Sequence, residues 1–219
     1  MKVYCIPGLG ADHRVFQSLN IKNAELLPVA WPNFDKQDDL NFYAQKIAHS
    51  IPEGPEIVIL GMSFGGMLAS EIKRMRPQQH VIIVSSNKLP EERPDVGGFF
   101  KFLGRNGLMP FGLAKYAGNI LFSRFGAKTQ DEKDLLRSFF KNTDAHFFNC
   151  AMRSILNWRT DTPLPEGLLH IHGTADQILP PDKIQHAHWI EGGEHIMIYD
   201  RADEVSALIN EHLAFLCQS

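Results

Sequence analysis

The sequence predicts an α/β fold, a doubly wound and mostly parallel sheet interrupted by a helical insertion. Three observations lead there. Short Val/Ile/Leu runs, most of them ended by Gly, Pro or Asn, recur along the chain without strict alternation, as in strands buried on both faces. Segments with helical apolar spacing lie between them, and an alternation of strand and helix implies right-handed crossovers. One long stretch breaks the alternation.

Taken in order, Val3–Ile6 runs into Pro7-Gly8-Leu9-Gly10, and Glu25–Ala30 into Trp31-Pro32-Asn33. Leu40–Ser50 has helical spacing. Glu56–Leu60 then leads into Gly61-Met62-Ser63-Phe64-Gly65-Gly66, and Met67–Met75 is an amphipathic helix with Met67, Leu68, Ile72 and Met75 on or near one side. Val81–Val84 is the next strand. Leu168–Ile171 runs into His172–Gly173, and His188–Ile190 into Gly192–Gly193. Asp203–Leu216 closes the chain as a helix through Val205, Leu208, Ile209, Leu213 and Leu216. The interruption spans Lys88 to Trp158 and holds ten of the fifteen phenylalanines, Phe99, Phe100, Phe102, Phe111, Phe122, Phe125, Phe139, Phe140, Phe147 and Phe148. Gly and Pro punctuate its first half. It reads as a cap over 88–158, with 1–87 and 159–219 forming the core. Most of its aromatics should fill the cap's own small core, and a few facing a pocket would make that pocket apolar.

Composition excludes several classes. At 219 residues the chain can bury a large core, and 44% apolar with 21% charged residues describes an ordered globular protein. A net charge of −3 gives no sign of nucleic acid or an anionic membrane as a partner. Cys5, Cys150 and Cys217 are too few and too irregularly spaced for a disulfide framework or a zinc site, and suit a reducing compartment. The N-terminal apolar run stops at Pro7–Gly8, too early for a signal peptide, and no run approaches the ~18 apolar residues of a membrane span. A soluble, cytoplasmic protein is expected, with a small-molecule partner and no cofactor.

The chemistry concentrates on loops that follow strands. Gly61-x-Ser63-x-Gly65 sits between a buried strand and a helix, where a nucleophile must adopt a strained backbone and neighbours without side chains relieve the crowding. Read alone, the same five residues fit a tight turn whose serine only caps the helix. A serine nucleophile needs a base, and the base an orienting acid. His195, in Glu191-Gly192-Gly193-Glu194-His195, follows the last strand, and Asp176, in His172-Gly173-Thr174-Ala175-Asp176, follows the strand before it. Both share the carboxyl edge of the sheet with Ser63, where ligands of open α/β sheets bind. An oxyanion needs two backbone N–H donors. Phe64, after the nucleophile, and Leu9, after the first strand, are the candidates. A nucleotide-binding turn at Gly8-Leu9-Gly10 is disfavoured by His13, which occupies the place of its third glycine.

Asp12 and Trp158 are candidates for touching substrate, with solvation and packing as their ordinary alternatives. His170-x-His172 and His186-x-His188 each put two imidazoles on one face of an extended segment, but no nearby acidic or cysteine partner completes a metal site, so none is expected. The thiols lack the basic surroundings of a nucleophile.

Pro7-Gly8-Leu9-Gly10, Gly61-Met62-Ser63-Phe64-Gly65-Gly66, His172-Gly173-Thr174-Ala175-Asp176 and Gly192-Gly193-Glu194-His195 together resemble the α/β-hydrolase superfamily. The likeness covers the chain apart from the insertion, and the order Ser63, Asp176, His195 is that of these enzymes. Two features depart from the family. There is no leading antiparallel hairpin, so a shortened sheet of about six strands is expected, and the family's usual His-Gly ahead of the oxyanion loop is Pro7–Gly8. The resemblance implies a lidded serine hydrolase acting on a small-to-medium apolar carboxylic ester or related acyl compound. A thioesterase, a C–C bond hydrolase or an acyltransferase would use the same triad. A ligand-binding protein on a hydrolase scaffold is the alternative from another class.

Overall fold

The structure, a computed structural model, describes residues 1–95, 97–108 and 118–218. Its strands are β1 (Lys2–Ile6), β2 (Glu25–Pro28), β3 (Ile57–Met62), β4 (His80–Val84), β5 (Leu168–Gly173) and β6 (His188–Ile190). All six pair in parallel in the order β2-β1-β3-β4-β5-β6. The sheet class and strand number expected from the sequence are those found. Chain order reverses between β1 and β3, so their carboxyl ends flank the crevice where open α/β sheets take their ligands. Ile6 stands opposite Gly61 and Met62 opposite Val84, which brings the loops after β1, β3 and β4 to one edge.

Both faces are covered, which explains the near-continuous apolar strands. On β3, Ile57 and Ile59 pack beneath α1 (Leu40–Ala48) and α2 (Phe64–Met75), with Tyr43, Leu68 and Ile72 in the same cluster. Val58, Leu60 and Met62 face the other way, into a cluster completed by α7 (Met197–Asp200) and α8 (Ala202–Leu216) through Met197, Val205 and Ile209. Asp39 starts α1 by accepting the Phe42 N–H at 2.8 Å, an ordinary N-cap.

Helix α2 begins three residues earlier than its apolar spacing predicts. Gly65 and Gly66 are poor helix formers, but nothing larger fits there. A Cβ on Gly66 would lie 2.4 Å from Ser86 Oγ, and one on Gly65 would lie 2.1 Å from the Ile6 carbonyl oxygen. Close packing of helix on strand overrides propensity.

Between β4 and β5 the chain leaves the sheet for α3 (Gly98–Arg105), α4 (Gly118–Phe125), α5 (Gln130–Asn142) and α6 (Ala145–Asn157). Helix α5 opens on a capping box. The Glu132 carboxylate accepts the Thr129 N–H at 2.9 Å, and Thr129 Oγ1 accepts the Glu132 N–H at 3.3 Å. Helix α3 packs on α6. Phe111, Pro110 and Gly112 of the predicted insertion, and the side chains of Phe99 and Phe100, lie outside the described residues. Among the described residues no helix is long and apolar enough to cross a membrane.

Candidate active site

Ser63 occupies the turn between β3 and α2 with φ 51° and ψ −118°, a conformation that costs an L-residue roughly 1–3 kcal/mol. The surroundings enforce it. The Ser63 N–H donates to the Val84 carbonyl at 3.0 Å, and the Ser63 carbonyl accepts from the N–H groups of Gly66 and Met67 and from Ser86 Oγ at 2.6 Å. A Cβ on Gly61 would stand 2.4 Å from the Gly65 carbonyl oxygen, so the turn closes only around glycine. Ser63 makes no side-chain cap to the helix. Its hydroxyl points instead to His195, with Oγ 3.0 Å from Nε2.

His195 follows β6 and is buried, as is Asp176 after β5. His195 Nδ1 lies 2.8 Å from Asp176 Oδ2. A carboxylate only accepts, so Nδ1 carries the proton and Nε2 is left as an acceptor for the Ser63 hydroxyl. The other carboxylate oxygen of Asp176 accepts the N–H groups of Ile178 and Leu179 at 2.8 and 2.9 Å. Burial alone would raise the Asp176 pKa. The facing His195 and the backbone donor of Leu179 outweigh it and hold the carboxyl below its usual range. The two loops interlock at Gly173, where a Cβ would meet the Gly193 carbonyl oxygen at 2.1 Å.

These groups open on a cavity of about 380 Å³, within the range of small-molecule sites. Gly8, Leu9, Ser63, Phe64 and His195 form its floor, and Leu121, Phe125, Leu136, Phe139, Phe140, Phe148 and Met152 its roof. Phe64 opens α2, so its N–H belongs to the first turn, which has no intrahelical acceptor. Leu9, in the loop after β1, lines the same cavity. The helices above touch the loop that carries His195. The Phe125 ring stands edge-on to His195 at 5.4 Å, its carbonyl accepts the Ile196 N–H at 3.1 Å, and Lys128 pairs with Glu194 at 2.9 Å. Thr143 Oγ1, at the end of α5, lies 2.7 Å from the Phe139 carbonyl and 3.2 Å from that of Gly10. Asn87 and Arg93, from the loop after β4, are polar groups in the wall that the sequence reading missed. Their one sequence signal was position, just beyond the carboxyl end of a strand beside β3.

Neither candidate substrate contact, Asp12 or Trp158, is among the residues that line this cavity. Asp12 lies outside the cavity wall. It caps a short helical turn and is held by Arg14, whose Nη2 is 2.7 Å from its carboxylate. Trp158 is buried against α2, where its indole N–H donates to Glu71 Oε1 at 2.7 Å, and Glu71 in turn pairs with Arg74 at 2.9 Å. A buried indole must satisfy its N–H, and this carboxylate does so.

His170 and His172 are structural. Lys88 Nζ approaches His170 Nδ1 at 3.4 Å, and the His172 Nε2–H donates to the Leu179 carbonyl at 2.9 Å, bracing the loop whose N–H groups hold Asp176. Burial lowers the pKa of both imidazoles, that of His170 well below its ordinary value. The unfolded chain takes up protons near pH ~6.5 while these folded sites resist them. The stability they contribute is therefore complete above that pH and is lost as pH falls through the lowered folded values. Thermal midpoints should decline between about pH 7.5 and about pH 5, less steeply in His170→Gln. Equal slopes for the two proteins would contradict this. His186 and His188 are exposed.

The match to known proteins agrees with this architecture. Residues 3–208 match the alpha/beta hydrolase family, and the chain belongs to it. Among solved structures, it is similar to an esterase from Exiguobacterium antarcticum (14% identity, 99% of this chain and 91% of that one, TM-score 0.69). It is also similar to a thermophilic esterase from Thermogutta terrifontis (13% identity, 99% and 90% coverage, TM-score 0.65) and to a bromoperoxidase from Bacillus anthracis (13% identity, 100% and 92% coverage, TM-score 0.70). At such identities the likeness is one of fold. No curated protein matches the chain.

Proposed function

We propose that the protein hydrolyses a small-to-medium apolar carboxylic ester through an acyl-enzyme on Ser63. The observation that carries this reading is the unbroken hydrogen-bond chain from Ser63 through His195 to Asp176, opening on an apolar cavity. Ser63 Oγ attacks the substrate carbonyl as its proton passes to His195 Nε2. Asp176 keeps Nδ1 protonated and stabilises the imidazolium that forms. The N–H groups of Leu9 and Phe64 receive the negative charge on the carbonyl oxygen. When the tetrahedral intermediate collapses, the alcohol leaves with the proton from His195. Water, deprotonated by His195, then attacks the acyl-enzyme, the acid departs and Ser63 regains its proton.

Residues 88–158 act as the cap of this site. Phe125, Phe139 and Phe148 contribute apolar surface above the nucleophile, which excludes water and strengthens the electrostatic interactions beneath. The contacts at Gly10, His195 and Glu194 tie cap and catalytic loops together.

A panel of p-nitrophenyl esters of increasing acyl length, with matched thioesters, tests the reading. Saturable ester turnover that improves with apolar acyl length is expected. Preference for thioesters would shift the assignment to a thioesterase. Saturable binding without product from any acyl compound would favour a ligand-binding protein instead.

A further inference from the structure

Arg93 is a cation in the wall of a largely apolar cavity, and the reaction above does not use it. Its side chain is half-buried. A guanidinium removed from water needs a counter-charge, because hydrogen bonds to neutral groups satisfy its donors without neutralising it. Among the described residues the hydrogen-bond partners of Arg93 are neutral. Nε donates to the Pro90 carbonyl at 2.7 Å and Nη1 to the Ile155 carbonyl.

Two of the nearby acids are committed elsewhere. Glu92 turns back into its own loop, where Oε2 accepts the N–H groups of Lys88 at 2.7 Å and Leu89 at 3.2 Å. Asp95 is paired with Lys183 at 2.9 Å. Glu91 is exposed and acts on Arg93 only through space. The other charges that influence Arg93, Arg105 and Arg159, share its sign. Among the described residues no carboxylate forms an ion pair with Arg93. The loop is also fixed in place, since Asn87 Nδ2 donates to the Glu92 carbonyl at 3.2 Å. A preorganised cation in the cavity wall, with no ion-pair partner among the described residues, is the arrangement that recognises an anion.

We propose that Arg93 is a specificity-determining residue that binds a carboxylate on the substrate, remote from the scissile carbonyl. The substrate class is then a half-ester, with an ester at Ser63, a carboxylate at Arg93 and an apolar spacer along the Leu and Phe side chains between them. This rests on the hydrolase reading and narrows it.

The test compares kcat/KM for mono-p-nitrophenyl esters of dicarboxylic acids with that for p-nitrophenyl alkanoates of equal length. A second arm sets 4-carboxyphenyl esters against 4-carbamoylphenyl esters, placing the charge on the alcohol side. The wild type should prefer the anionic member of at least one arm by about 10- to 100-fold, the range of a hydrogen bond to a charged group. In Arg93→Met that ratio should fall towards one, chiefly through KM, and Arg93→Lys should restore part of it. Each ratio is internal to one protein, so partial misfolding of a variant cancels. Turnover of neutral esters with no anionic preference in either arm, or a preference that survives Arg93→Met, overturns the proposal. If no ester is turned over, the hydrolase reading fails and Arg93 is judged by binding of octanoate and of suberate monomethyl ester. Saturable binding lost in Arg93→Met supports its role, and no binding overturns it.

Discussion

Ser63→Ala is expected to abolish ester turnover while leaving the fold intact. The Ser63 hydroxyl makes its hydrogen bond to His195 Nε2, while the turn itself is held by backbone groups, by Ser86 and by the glycines at 61, 65 and 66. Alanine keeps the same backbone cost at φ 51° and removes only the oxygen. Triad members act as a unit, so the loss in kcat should be on the order of 10³-fold or more. Circular dichroism and a thermal melt close to wild type would show that chemistry, not folding, was lost. Retention of near-normal ester hydrolysis would remove Ser63 from the mechanism.

Gly65→Ala should have a large effect on folding. The added Cβ would lie 2.1 Å from the Ile6 carbonyl oxygen and 2.4 Å from that of Pro7. Both are backbone atoms at the end of β1 and cannot rotate away, so α2 must shift off the strand. That shift would widen the gap between Leu9 and Phe64 and displace Ser63. Overpacking of this severity costs about 3 kcal/mol or more, roughly 6–12 °C in midpoint for a chain of this size. Gly98→Ala is the control, because a Cβ there meets nothing within 4 Å. A Gly65→Ala midpoint matching that control would contradict the packing described.

What could be read in the sequence was local. Strands buried on both faces announce themselves as apolar runs, and each candidate for the triad stands a few residues beyond such a run. Ser63, Asp176 and His195 could therefore be assigned to one edge before any coordinates were known, and the fold brings their side chains within hydrogen-bond distance. What could not be read depends on distant partners or on steric limits. The true start of α2 is set by the carbonyl of Ile6 and by Ser86, not by the propensities of Gly65 and Gly66. Trp158 is fixed by Glu71, 87 positions away. Phe125 is one phenylalanine among many until its ring is seen against His195. Arg93 is an ordinary arginine in sequence, and that no carboxylate among the described residues forms an ion pair with it depends on the partners Glu92 and Asp95 take elsewhere.

The most direct test of the mechanism is intact-mass analysis after treatment with a fluorophosphonate, applied to wild type, Ser63→Ala and His195→Ala. The reagent reacts with a serine only when a neighbouring base activates it. One adduct on the wild type, mapped to Ser63 and missing from both variants, is the expected result. An adduct at another residue, or no adduct on folded wild-type protein that turns over esters, would contradict an activated Ser63.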